Sequence, residues 1–116
     1  MSITRIGAGP RMSKAVVHGD TVYLAGQVAD ATKGKSVAEQ TTEILGIIDG
    51  ILKEAGSDKS KLVWTNIWLS DISTFAEMNS VWDKWVIPGQ GPARATVEAK
   101  LAGPDYKVEI AVVAAV

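Results

Sequence analysis

Two residues in the last quarter of the chain, Arg94 and Glu109, have the types and settings that a small-acid site needs. Arg94 follows the rigid turn Gly91-Pro92-Ala93 and opens an extended run, Ala95-Thr96-Val97-Glu98. A guanidinium held on a sheet can grip a carboxylate through two parallel charge-assisted hydrogen bonds. The bland alternative is a solvated or salt-bridged strand arginine. Glu109 stands in Val108-Glu109-Ile110-Ala111-Val112-Val113, otherwise almost wholly apolar. A carboxylate there is costly unless it is paired or solvated. It reads either as an ion-pair partner of Lys107 or Lys100, or as a base that orients or deprotonates a water. Strand residues hold such a constellation better than loop residues do.

Other positions are candidates on weaker grounds. Asn79 sits in mid-helix, where asparagine is a mediocre former and needs a reason. It reads as a rim position or as a pocket-edge hydrogen-bonding group. Gly26, after Ala25 and before Gln27, permits close approach of a ligand or a second backbone. The Gln27 side chain reads as a structural hydrogen-bonder. Glu98 is the other strand carboxylate, either facing Glu109 or turned to solvent beside a lysine. Thr96 adds a hydroxyl two residues beyond Arg94. Arg11 reads as a surface salt-bridge partner or as a positive charge near a pocket mouth.

These residues must be positioned by a regular scaffold. Ala15 to His18 and Thr21 to Val28 read as a β-hairpin about Gly19-Asp20. A short strand near Ser2 to Ile6 precedes it. Ser36 to Ala55 is the clearest helix: Ser36 and Glu39 have capping-box spacing, and Gly56 stands where a left-handed cap belongs. Gly46 weakens that helix and invites close approach to the sheet. Leu62 to Leu69 alternates Val63, Thr65, Ile67 and Leu69 against Trp64, Asn66 and Trp68, so both faces need cover. Asp71 to Thr74 turns into a second helix, Phe75 to Val86. Strands from Ala93 to Leu101 and from Tyr106 to Val116 close the chain across Gly103-Pro104.

The order β-β-α-β-α-β-β predicts an α+β fold, a mixed sheet with two helices on one face. Two helices cannot cover the second apolar sheet face, which makes oligomerisation the economical solution. If Leu101 pairs with Tyr106, Glu109 falls opposite Glu98 and Arg94 opposite Val113. Arg94 and Glu109 then share a face but stand about 13 Å apart, which favours a site shared between subunits.

Bulk properties exclude several classes. A length of 116 residues suits one domain, 1–116, and 47% hydrophobic residues suffice for a core. A net charge of -1 gives no basic footprint for nucleic acid. The four tryptophans read as core and interface rather than a base-stacking platform. No apolar run has the length of a membrane span, and no signal-peptide pattern opens the chain. With no cysteine and one histidine, thiol chemistry and a zinc site are not expected. A cytoplasmic protein is the expectation.

The chain resembles the Rid family of small proteins, also called YjgF. The resemblance rests on Gly91, Pro92, Ala93 and Arg94, then Val108, Glu109 and Ile110 with a small apolar tail to Val116. Ala25-Gly26-Gln27, Gln40, Ala55-Gly56 and Phe75 to Asn79 stand in the family's order. The resemblance implies a chorismate-mutase-like fold and a homotrimer whose sheets form a central barrel, with ligand clefts between subunits. It implies hydrolysis of reactive enamines and imines, such as 2-aminoacrylate and 2-iminopropanoate, to 2-keto acids and ammonia without a cofactor. By resemblance Arg94 binds the carboxylate, Glu109 positions water, Asn79 lies at the pocket edge, and the Ala25-Gly26 backbone lines the pocket. The chain departs from the family's deaminases at two wall positions: Met12 stands for a tyrosine and Thr96 for a cysteine. A non-catalytic, small-carboxylate-binding or partner-regulating trimer is therefore the main alternative. An endoribonuclease or translation-inhibitor role fits the neutral charge poorly, and chorismate mutase activity would rest on fold analogy alone.

Overall fold

The computed structural model describes all residues, Met1–Val116. Six strands form one sheet: β1 (Ile3–Ile6), β2 (Ala15–His18), β3 (Thr21–Leu24), β4 (Leu62–Leu69), β5 (Ala93–Glu98) and β6 (Val108–Ala115). Helix α1 (Val37–Glu54) precedes β4, and α2 (Phe75–Trp85) connects β4 to β5. The expected order holds, with the short N-terminal strand added at one edge. The strands end sooner than periodicity predicted: β3 stops at Leu24, β5 at Glu98, and β6 begins at Val108. No helix is long and apolar enough to cross a membrane.

Local chemistry explains α1. The Glu39 backbone N–H donates to Ser36 Oγ at 3.1 Å, and the Ser36 hydroxyl donates to Glu39 Oε1 at 3.2 Å. Gly56 closes the helix with φ +82°, a conformation that disfavours residues with a Cβ. The stripe through Thr41, Ile44, Leu45, Ile48 and Leu52 is buried. Gln40 is buried on this helix too. Its amide donates to the carbonyls of Lys35 (3.2 Å) and Asp105 (2.9 Å), and its oxygen accepts from Lys107 N at 2.9 Å. It thus clips the approach to β6 onto α1. Gly46 does not serve close sheet approach: a Cβ there would meet nothing within 4 Å.

The sheet order is β1-β2-β3-β6-β4-β5. This corrects the expected closing hairpin, because β4 lies between β5 and β6. β5 pairs with β4 in parallel, Thr65 opposite Arg94 and Leu69 opposite Glu98. β6 pairs antiparallel with β4, Thr65 opposite Val112 and Trp68 opposite Glu109. A right-handed crossover through α2 is the connection that parallel neighbours require. The proposed Leu101–Tyr106 pairing does not exist, since both residues lie in the β5–β6 connection.

One sheet face carries Thr65, Ile67, Leu69, Ile110 and Val112, all buried against the helices. The opposite face has no helix. On it Tyr23 is 49%, Trp64 39% and Val97 50% exposed, with half-buried Trp68, Ala111 and Val113 between them. The expectation that β4 needs cover on both sides is met on one side only within the protomer.

Candidate functional site

Pairing decides where each candidate side chain points. Residues directly opposite in a sheet share a face, and neighbours along a strand alternate. Arg94 is level with buried Thr65, so it lies on the helix face at the β5 edge. Glu109 is level with Trp68, so it lies on the open face. The two therefore stand on opposite faces, two strands and three residues apart, about 14 Å between backbones. This overturns the expected shared face, which depended on the wrong neighbour for β5. It also removes the clash between Glu98 and Glu109. Glu98 faces the helix side and accepts from the Ile72 backbone N–H at 3.0 Å, not from a lysine.

The Arg94 half-site is built by β5 and α2. The guanidinium carbon lies 5.7 Å from the Phe75 ring centroid and 5.3 Å from that of Trp82. Phe75, Asn79 and Trp82 fall on one helical stripe. The single ion pair of the protomer is Lys14–Glu54 at 3.9 Å, so Arg94 is not the salt-bridged residue of the bland reading. Burial pushes its pKa down and the charge of Asp83 opposes that, but a guanidinium stays protonated. Thr96 Oγ1, Asn79 Oδ1 and Thr65 Oγ1 are buried and lack a hydrogen-bond partner. Thr65 and Thr96 are on the face of Arg94. A charged fork that makes no ion pair, in a layer with unsatisfied polar atoms, is unusual for a purely structural arrangement.

The Glu109 half-site is built by β6 and the chain after β3. Gln27 and Ile110 exchange backbone hydrogen bonds at 2.8 and 3.1 Å, which draws Gly26 over Glu109. A Cβ on Gly26 would lie 2.1 Å from Glu109 Oε2. The absence of a Cβ at Gly26 leaves the room that the Glu109 carboxylate occupies. The Gln27 amide donates to Ala25 O at 2.9 Å, the structural role expected of it. Glu109 pairs with neither Lys100 nor Lys107, and burial alone pushes its pKa up. It lines a cleft of about 240 Å³ with Trp68 and the Ala99–Ala102 segment. The largest cavity, about 570 Å³ around Lys100 and Tyr106, holds neither Arg94 nor Glu109.

Met12 lies in the β1–β2 connection and is 58% exposed. That connection joins the Glu109 side, because Ala25 N donates to Lys14 O at 2.9 Å. Gly26 and Glu109 thus meet at one place, with the Met12 connection tied to Ala25 through Lys14, and Arg94, Thr96 and Asn79 belong to another. Phe75 and Trp82 flank Arg94, a role the sequence does not mark: it shows Phe75 as the start of the second helix and Trp82 as a core or interface residue. Their spacing with Asn79 was visible, but only the sheet pairing brings Arg94 beneath them.

Gly26→Ala tests the second half-site. The new methyl must displace the Glu109 carboxylate, so the variant should fold normally and lose whatever Glu109 contributes to the imine hydrolysis that the family resemblance implies. Circular dichroism beside an assay of that reaction reads both, and a variant indistinguishable from wild type would show that the placement of Glu109 carries no task.

Neither half-site contains three or more His, Cys, Asp or Glu side chains placed to hold a metal ion. The family model described as Endoribonuclease L-PSP matches residues 2–116. A RutC family protein of Haemophilus influenzae is 45% identical over 114 residues, covering 98% of each chain. The RutC family protein YoaB of Escherichia coli K12 is 44% identical over 116 residues, the whole of both chains. A crystal structure of a YjgF family member from Neisseria meningitidis superposes with a TM-score of 0.95 at 44% identity, covering 99% of this chain and 95% of that one. A structure described as a putative translation initiation inhibitor, from Salmonella typhimurium, gives 0.89 at 43%, covering 99% and 98%. Matched over nearly its whole length by the family model and by these relatives, the protein belongs to the YjgF, or Rid, family.

Proposed function

We propose that the protein hydrolyses reactive enamine and imine acids, of the 2-aminoacrylate and 2-iminopropanoate type, to 2-keto acids and ammonia. The observation that carries this is the Arg94 guanidinium, set beside two rings and outside any ion pair. Its N–H edge suits a substrate carboxylate. Thr96 shares its strand and sheet face, Asn79 the helical stripe of its two rings, and both carry an unpartnered side-chain oxygen. Burial pushes the pKa of Glu109 above its ordinary value, the direction that suits a group exchanging protons with a substrate.

The reaction balances with one water in and one ammonia out. The enamine first tautomerises to the imine. Water oxygen bonds to the imine carbon as the C=N electron pair moves to nitrogen. Glu109 takes the water proton and passes it to nitrogen. Glu109 then carries the proton of the new hydroxyl to the amino nitrogen; an oxygen lone pair closes the C=O bond as the C–N bond breaks, and ammonia leaves beside the 2-keto acid. No cofactor is required, because the imine carbon is already electrophilic.

Arg94 and Glu109 cannot meet on one small substrate within a protomer, so the complete site requires two. A homotrimer, with its open sheet faces turned inward, satisfies this and covers Tyr23, Trp64 and Val97. Light scattering at micromolar protein should give a trimer. A stable monomer would remove the shared site. Val97→Glu, which buries a charge in that interface, should yield monomers without activity.

A second reading is a trimer that binds small carboxylates without turnover. It is favoured by the separation of the grip from the proton carrier, since Arg94 alone suffices for binding. A steady-state assay with enzymatically generated iminopropanoate decides between them: hydrolysis at background level overturns the enzyme. Nucleic-acid cleavage, which the family model's description names, finds no basic face at a net charge of -1.

A further inference from the structure

The two rings beside Arg94 are not equivalent. Trp82 is only 6% exposed and belongs to the core, whereas Phe75 is 41% exposed. Ile72, three residues earlier, is 44% exposed. The ring is placed by its 5.7 Å approach to the guanidinium, and Ile72 stands one turn before it, its carbonyl accepting from the Phe75 N–H. The turn that carries Ile72 is tied to β5 at Glu98, whose carboxylate accepts from the Ile72 backbone N–H at 3.0 Å, and is held by Asp71, which accepts from Ser73 N at 2.9 Å. A partly exposed aromatic ring thus stands beside a cation that makes no ion pair.

We propose that Phe75, with Ile72 beside it, is the side-chain subsite of the Arg94 grip. It selects 2-imino and 2-oxo acids carrying a bulky apolar side chain over small or acidic ones. This rests on the proposed carboxylate-binding role of Arg94. In such acids the side chain and the carboxylate leave the same reacting carbon. Once the carboxylate bonds the free N–H edge of the guanidinium, the side chain must fall close to it, and the Phe75 ring is the apolar surface available there. Burying an alkyl or phenyl group against it removes apolar area from water on both partners. An acidic side chain would instead meet the electron-rich ring face and lose hydration. Phe75 does not touch the reacting bond, so its effect falls on selectivity.

Calorimetry on the assembled protein tests this with four acids: pyruvate, 4-methyl-2-oxopentanoate, phenylpyruvate and 2-oxoglutarate. The two apolar acids should bind on the order of tenfold tighter than pyruvate, and 2-oxoglutarate more weakly. Phe75→Ala should bring the ratio of affinities between the apolar acids and pyruvate to about one, whatever the change in the affinity for pyruvate itself. Phe75→Leu should keep most of the preference for 4-methyl-2-oxopentanoate and lose that for phenylpyruvate. Equal affinities in wild type, or a preference that survives Phe75→Ala, overturn the subsite but leave the Arg94 grip standing. Dissociation of the Phe75→Ala assembly also overturns it, because the ring is then a subunit contact. Failure of wild type to bind any oxo acid removes the grip itself.

Discussion

Arg94→Ala should abolish both the binding of simple keto acids and the turnover of iminopropanoate, while fold and oligomeric state survive. The side chain is half-buried at an edge strand and makes no ion pair, so little of the core depends on it. What the fold loses is its contact with the Phe75 and Trp82 rings, about 0.5–1 kcal/mol at such a site. What function loses is the one charge poised for a carboxylate. Arg94→Lys separates charge from geometry. Lysine keeps the charge but not the planar fork, so affinity should fall without vanishing. Calorimetry with pyruvate and 2-oxobutanoate, beside circular dichroism, checks each point. An Arg94→Ala protein that binds keto acids as wild type does would end the grip assignment, and one that is insoluble would return Arg94 to a structural role.

Glu109→Gln should fail in the opposite way. The amide keeps shape and hydrogen bonding but cannot accept a proton. Ligand binding should persist while the hydrolysis rate falls on the order of 10²–10⁴-fold, the usual worth of general acid–base help. Normal turnover would remove the assignment. Two pH effects accompany it. In wild type the base form is lost as pH falls through the raised pKa, so the acid limb of the rate profile should lie above the ordinary carboxylate range. Stability runs the other way. The folded protein holds this proton to higher pH than the unfolded chain does, so stability falls as pH rises from the ordinary carboxylate value through the raised one. Above that window the desolvated charge is a standing cost. Glu109→Gln should therefore melt higher than wild type at neutral pH, and the difference should vanish below the ordinary carboxylate value. A carboxylate that lowers stability and remains unpaired is more readily understood as functional than as structural.

Much of the protein was determined by local sequence. Ser36, Glu39 and Gly56 set the limits of α1, because caps act within one turn of the chain. Gly19-Asp20 set the β2–β3 hairpin, and Asp71 the turn into α2. The residue types of Arg94 and Glu109 marked them as candidates, since a strand guanidinium suits a carboxylate and a carboxylate in an apolar strand is costly unless paired or solvated. The family resemblance followed from the order of these signals. Only the tertiary structure decided which strands are neighbours. Insertion of β4 between β5 and β6 is a non-local choice, driven by burial of Thr65, Ile67 and Leu69 beneath the helices and by the crossover through α2. That choice put Arg94 and Glu109 on opposite faces, drew Gly26 over Glu109 and set Phe75 and Trp82 against Arg94. Strand periodicity defines two faces but not which face a partner strand's residue will share, because that depends on pairing between segments far apart in the chain.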